Sequence, residues 1–599
     1  MSETLQTTIK SDTDSEIARQ LNAERARLRA QSGLVQLQQF RRPVERPFTA
    51  QERDKATILF GGLTWKHEAL IRAVFHGAGY RCEQLAVPDV AAFQLGKEYG
   101  NNGQCNPTYF TVGNLVQHLQ MLEAGGIPRR EIIDNYIFFT AGSCGPCRFG
   151  MYEAEYRFAL QNAGFDGFRV LLFQQDDGIK AASGEPGLKF TVDFGLGMLN
   201  ALNLGDVVND LIHQIRPYEV NRGETDRVFE EAVDELAKTL RERPPFEILE
   251  SAPAWARNYL AQEKNRKFKN TLNTLGKIRE NLYGKAYTDA MEACRERLNS
   301  IEVDRMRVKP TVKITGEFWA QITEGDGNFH MFRFLEREGA QVLVEPIATW
   351  VAYLLHQAKA KEARQKKMVD HTNRLAWWQY KQRIARDFKF EQKCFMMSIG
   401  ETMWTHFYHR VAKRLGGITH RLVDQNEMTA LASPFYNRFA RGGEGHLEVG
   451  KNIYYTINHL AHMVLALKPF GCMPSSQSDG VQSAVINRFK DMIFLPVETS
   501  GEGEVNAHSR VQMALGEAKA KAKLEFEQTL NGTGKRLEDI RAYVAEHPQL
   551  RRPFYHVPHR DGIAGTAAQF VLHVSDLMDA ETSFWRRTRV RTASQLKVA

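Results

Sequence analysis

Four cysteines stand where a cysteine could do more than pack. Cys144 and Cys147 lie in TAGSCGPCRFG, residues 140–150, after the apolar run YIFFT and before a segment of helical pattern. A cysteine between the carboxyl end of a strand and the amino end of a helix sits where open parallel sheets bind ligands. The unpaired amides and positive dipole end of the helix favour its thiolate. Gly142 and Gly145 carry no side chain that would hold a bulky ligand away. Cys105 lies in GKEYGNNGQCNPTYFTVGNLV, residues 96–116, where the turn-forming run YGNNGQCNP leads to Pro107 at a helix start. Cys472, in LKPFGCMPSSQSDG, again follows a strand-like segment and enters a loop rich in Gly, Pro and Ser. Thiolates so placed can attack a disulfide, bind zinc, or bind iron and sulfur.

CGPC between a strand and a helix is the active-site sequence of a thioredoxin, so a thiol–disulfide oxidoreductase is one reading. Three features count against it. Ser143, not Trp, precedes the first cysteine; no apolar strand precedes Pro186, the nearest proline for the required loop; and a dithiol pair leaves the setting of Cys105 unexplained. Structural zinc sites pair two short cysteine knuckles, and this chain has a single CxxC, so zinc in a non-catalytic scaffold is the second alternative. Ligands on separate loops at a cleft suit an iron–sulfur cluster better, with Cys105, Cys144 and Cys147 as ligands and Cys472 completing the set from a second domain. Cys82, Cys294 and Cys394 read as small buried hydrophobes.

The elements around these loops alternate. TILFGGL, RCEQLAV, YIFFT and FRVLLFQ read as strands separated by helical segments; TVKITGE, AQVLVEP, VLALKPF and MIFLPVE repeat the pattern further on. Continuous apolar strands alternating with helices indicate parallel sheets covered on both faces. The expected fold class is α/β, two tandem doubly wound parallel-sheet domains with a helical insertion. An amino-terminal helix and linker spans 1–54, the first α/β domain 55–220, a helical connector 221–306, the second α/β domain 307–531 with its insertion at 350–432, and a carboxy-terminal extension 532–599. Trp377 and Trp378, within the insertion, are expected to be buried.

At 599 residues the chain is too long for one ordinary domain, and its 43% hydrophobic and 25% charged residues suit a globular protein with a large core. No apolar run approaches the length of a membrane span, and the polar amino terminus has no secretion signal, so the expected compartment is the cytoplasm. Seven cysteines in such a chain argue against a disulfide framework. The net charge of +8 is modest. Its concentrations at 357–367 and 585–591 read as solvated faces, and nucleic acid is not an expected partner. Phosphate-loop motifs are absent: NGTGKRL at 531–537 lacks the leading glycine, and DFGLGMLN at 193–200 has Asn200 where a dinucleotide fingerprint wants glycine. ATP, if involved, is expected on another chain.

The stretches PFTAQERDKATILFGGLTWKHEAL, GKEYGNNGQCNPTYFTVGNL, TAGSCGPCRFGMYEAEYRFAL, VKITGEFW and KPFGCMPS resemble the 2-hydroxyacyl-CoA dehydratase superfamily, which includes benzoyl-CoA reductase-like subunits. The likeness is nearest to the carboxy-terminal half of large acyl-CoA dehydratase activase-related proteins and spans about residues 45–520. It implies a [4Fe–4S] or double-cubane cluster on Cys105, Cys144 and Cys147 with Cys472. It also implies electrons from an ATP-dependent activase of actin-like fold, and an acyl-CoA or another small molecule as candidate substrate. In the large fused proteins the ATPase precedes this region; residues 1–54 are too short for it, so the expected activase is a separate chain. The resemblance leaves room for a homodimer. It also leaves two chemistries open: four thiolates would close the site and suit electron transfer or small-molecule reduction, whereas three would leave a position for a substrate oxygen, as in a dehydratase.

Overall fold

The computed structural model describes residues 16, 19–28, 45–142, 147–174, 187–243, 246–372, 379–440 and 443–595. The chain divides into a short unit, Met1–Val44, and a large one, Glu45–Ala599. Residues 19–28 of the short unit are an exposed helix.

Among its described residues the large unit contains eight strands in two four-stranded sheets, and every pair of these strands is parallel. In the first sheet these are β1 (Thr57–Phe60), β2 (Arg81–Gln84), β3 (Tyr136–Gly142) and β4 (Arg169–Gln174). In the second they are β5 (Thr311–Gly316), β6 (Gln341–Leu343), β7 (Met463–Pro469) and β8 (Phe494–Thr499). The order is β2-β1-β3-β4 in one and β6-β5-β7-β8 in the other, so the two halves repeat one topology. Registers correspond as well: Ile58 lies between Cys82 and Ile137, and Val312 between Val342 and Met463. All eight apolar runs read from the sequence are strands. β1, β5 and β7 are buried along their length, as strands covered on both faces must be.

Fourteen helices matter below. In the first half they are α1 (Trp65–Gly77), α2 (Val90–Tyr99), α3 (Asn106–Ala124), α4 (Tyr152–Asn162) and α5 (Val192–Ile215). The connector holds α6 (Glu224–Glu242) and α7 (Lys285–Asn299). The second half has α8 (Phe318–Ile322), α9 (Ile347–Thr372), α10 (Tyr380–Arg414), α11 (Gly445–Ile457), α12 (Met473–Arg488), α13 (Glu504–Thr533) and α14 (Thr566–Gln595). α5 begins at Thr191, whose hydroxyl accepts from Phe194 N–H at 3.1 Å, so the DFGLGMLN stretch is a helix start. α6 and α7 join α1 and α5 in the core of the first half. α9 and α10 form the helical insertion; Trp377 and Trp378 lie outside the described residues.

The carboxy-terminal extension is not a loose tail. Phe570, Val571 and Val574 of α14 pack with Phe526 of α13 and with Ile540 and Val544 into their own core. Among the other cysteines, Cys82 and Cys294 are buried as expected. Cys394 is half-exposed on α10, because the helix presents only one face to its partner α9. No described helix is long and apolar enough to cross a membrane.

Candidate functional site

The topology creates two switch points, between β1 and β3 and between β5 and β7, where successive connections leave in opposite directions. The residues expected to do chemistry follow these strands. Cys147 comes five residues after β3 and caps the short 3-10 turn Arg148–Met151 that opens α4. Glu317 directly follows β5 and caps α8, its carboxylate accepting from Ala320 N–H at 2.9 Å. Cys472 follows β7 and caps α12, whose second residue is Pro474. Cys105 caps α3, with Pro107 in its first turn.

The loops of Cys105 and Cys472 meet across the two halves. Asn106 donates its backbone N–H to Phe470 O at 3.1 Å, and its buried side chain donates to Thr499 O at 2.7 Å. Gly471 has φ +75°, and a Cβ there would stand 3.1 Å from Gln104 O and 3.3 Å from Cys105 Cα. The position therefore takes glycine both for its left-handed backbone and for close approach. The Cys105 loop is also tied to the Cys147 segment. Arg148 donates to Gly103 O, and Glu155 of α4 accepts from the Asn101 backbone and side chain and from Gln104 Nε2 at 3.3 Å. Behind the loop α2 and α3 cross almost backbone to backbone: a Cβ on Gly96 would fall 1.9 Å from Tyr109 O, and one on Gly113 only 1.7 Å from Ala92 O. Thus backbone contacts hold the Cys105 and Cys472 loops together across the two halves, and the Arg148 and Glu155 side chains tie the Cys147 segment to the Cys105 loop.

Cys105 and Cys472 are buried, and Cys147 is partly exposed. The Cys105 sulfur lies 3.1 Å from the Thr108 hydroxyl and 3.3 Å from the Tyr152 hydroxyl. Burial, together with the nearby Cys105 and Glu317, keeps the Tyr152 phenol protonated, so it can serve as a donor to sulfur. Burial pushes the Cys147 thiol up to about 12; the Phe149 amide opposes this, and Glu444, Glu317 and Cys105 add to it. Burial and Glu317 push Cys472 up further still, against hydrogen bonds from Ser475. Glu317 and Glu444 form a buried acidic pair that also faces these thiols. Burial raises both carboxyls, and Glu317 makes ionisation of Glu444 harder still. Glu444 accepts from Phe318 N–H, and Lys451, itself 3.4 Å from Glu345, offsets part of its cost.

Thiols and carboxyls from both halves stand together at these strand ends, and a bound cation deprotonates coordinating thiols outright. The donor set therefore fits a metal or metal–sulfur group, with sulfur ligands from three loops and hydroxyl donors beside one of them. Among the described residues no three His, Cys, Asp or Glu side chains are already arranged as a ligand cage. Cys144 lies outside those residues, with Ser143, Gly145 and Pro146.

Sequence reasoning singled out these three cysteines together with Cys144, and missed Glu317, Glu444, Tyr152 and Thr108. Glu317 carried little signal, a single acid in the stretch TVKITGEFW. Glu444 had none, because only tertiary contact brings the start of α11 to the end of β5. Neither a scan against protein-family profiles nor a search of the curated proteins returns a match to this chain.

Proposed function

We propose that this chain is an iron–sulfur protein related to 2-hydroxyacyl-CoA dehydratases, accepting low-potential electrons from an ATP-dependent activase for a dehydration or a small-molecule reduction. The observation that carries this reading is the meeting of the Cys105, Cys147 and Cys472 loops at one crevice between two parallel sheets. Cys105, Cys147 and Cys472, with Cys144, would hold the cluster. When bound, such a group accepts an electron and passes it on.

The remaining roles belong to the chain itself. Tyr152 and Thr108 orient Cys105 and supply hydrogen bonds to its sulfur, an arrangement that tunes ligand basicity and potential. Burial raises both carboxyls of the acidic pair Glu317 and Glu444 beside the thiols, so charge arriving there can be matched by a proton from a neighbouring carboxyl.

Iron and sulfide content of cysteine variants tests the assignment. Cys105→Ala and Cys147→Ala are expected to lose most of the iron, while Cys394→Ala, on the half-exposed insertion helix, keeps it. Cys472→Ala reads the ligand count: loss of iron assigns four thiolates and electron transfer, retention assigns three and an open position. Full iron in Cys105→Ala would overturn the assignment of that loop.

A further inference from the structure

A second site lies at the opposite edge of the second sheet. Thr311 and Gln341 open β5 and β6, and below them is a cavity of 650 Å³ between the end of α11, the loop that follows α10, and the carboxy-terminal extension. That volume lies within the range of about 300–1,000 Å³ that holds small organic ligands.

Its lining is one-sided in charge. Arg305, His420, Arg421, His556 and His559 border it, and no Asp or Glu does. Arg305 gives its guanidinium to three backbone carbonyls of the extension, Leu550, Arg552 and Pro553, and lies over the Phe570 ring. It forms no ion pair with a described carboxylate, so its charge is uncompensated. His420 donates its Nδ1–H to the Asp210 carboxylate at 2.8 Å, which leaves Nε2 for another partner. Asp424 and Glu427 act on Tyr454 from outside the lining. Arg421, His556 and His559 are exposed at the rim. The Thr419 hydroxyl is buried and lacks a hydrogen-bond partner among the described residues. Buried polar atoms are rarely left so. Tyr454 and Tyr455 supply flat aromatic wall.

An arginine and two histidines at the mouth, aromatic rings within and an orphaned hydroxyl together describe recognition of an anionic group attached to a planar ring. We propose that this cavity binds a mononucleotide, its phosphate met by Arg421 and the rim histidines and its base lying against Tyr454. The site is made of side chains rather than a glycine-rich phosphate loop, which is why motif reading passes over it. It is separate from the cysteine crevice and does not rest on the cluster.

Calorimetric titration of the full chain with AMP, GMP and UMP, against adenosine and inorganic phosphate, tests it. At least one mononucleotide is expected to bind about tenfold or more tightly than its two halves taken singly. Arg421→Ala and His559→Ala, both exposed, should each weaken that binding about tenfold without changing thermal unfolding of the free protein. Tyr454→Ala should weaken the nucleotide but not phosphate. Absence of saturable binding by all three nucleotides overturns the proposal, and so does an affinity unchanged in the Arg421→Ala, His559→Ala double variant. Cys105→Ala should bind nucleotide as the parent does, so the outcome is independent of the fate of the cysteine site.

Discussion

Glu68 sits in the first turn of α1, where a glutamate is ordinarily a solvated partner of the helix dipole. Here it turns inward, accepts from Leu63 N–H at 3.0 Å, and is pushed up from 4.5 to about 8 by burial, with Glu324 adding to the shift and the Leu63 and Gly62 amides opposing it. Below about pH 4.5 the folded and unfolded chains both hold this proton, and Glu68 leaves stability untouched. As the pH rises towards 8 the unfolded chain ionises freely and the fold does not, so stability is lost across that window. Glu68→Gln can still accept the amide and cannot ionise. It is expected to flatten the decline and to raise the melting temperature near pH 8 by on the order of a few degrees. A profile identical to that of the parent would show that solvent reaches the carboxyl. Such residues are the least legible from sequence, because Glu68, Glu317 and Glu444 look like any surface acid until the packing around them is known. The cysteines are legible, since their loops carry Gly, Pro and Asn in patterns that mark a strand end followed by a helix start.

At the scale of elements, strands are read well and their neighbours poorly. Runs such as YIFFT and VLALKP are apolar on both faces, and only a buried parallel strand accommodates that pattern at this length. What the runs do not encode is how closely two helices approach. Gly96 and Gly113 look like weak points in helical segments, yet they let α2 and α3 touch backbone to backbone, and that crossing fixes the base of the Cys105 loop. Gly96→Ala or Gly113→Ala therefore overpacks the crossing and is expected to cost about 1–3 kcal/mol or more. It should also lower retained iron, because the loop is displaced with its helix. Gly480→Ala is the control. A Cβ there meets open space on α12, and the change is expected to be neutral or to stabilise by about 0.4–1 kcal/mol. Denaturant unfolding with iron analysis on the same samples separates these outcomes. Equal stability of the Gly96 and Gly480 variants would remove the crossing from the account.

For the whole molecule, one topology used twice places two sets of strand ends against one another. The seam is polar and specific: Asn106 bonds both Phe470 and Thr499, Val90 N–H donates to Asp326 at 2.8 Å, and Asp206 accepts from Ile347 and Ala348 N–H at 2.7 and 2.8 Å. Cys105 and Cys472 are buried in that seam and Cys147 is partly exposed, which in the proposed scheme suits electron delivery by a docking partner. In the proposed scheme the driving force comes from that partner. The isolated chain is expected not to hydrolyse ATP, and its cluster to be reduced only when an activase, ATP and a reductant are supplied together. Reduction by ferredoxin without ATP would remove the activase from the scheme. The claim beneath all of this is that the crevice between the sheets carries iron and sulfide. Purification of the full chain under strict exclusion of oxygen, followed by metal analysis and a visible spectrum, addresses it most directly. The account expects brown protein with iron and acid-labile sulfide in matching amounts, and broad visible absorption that bleaches with dithionite or air. Colourless protein carrying one equivalent of zinc would contradict it.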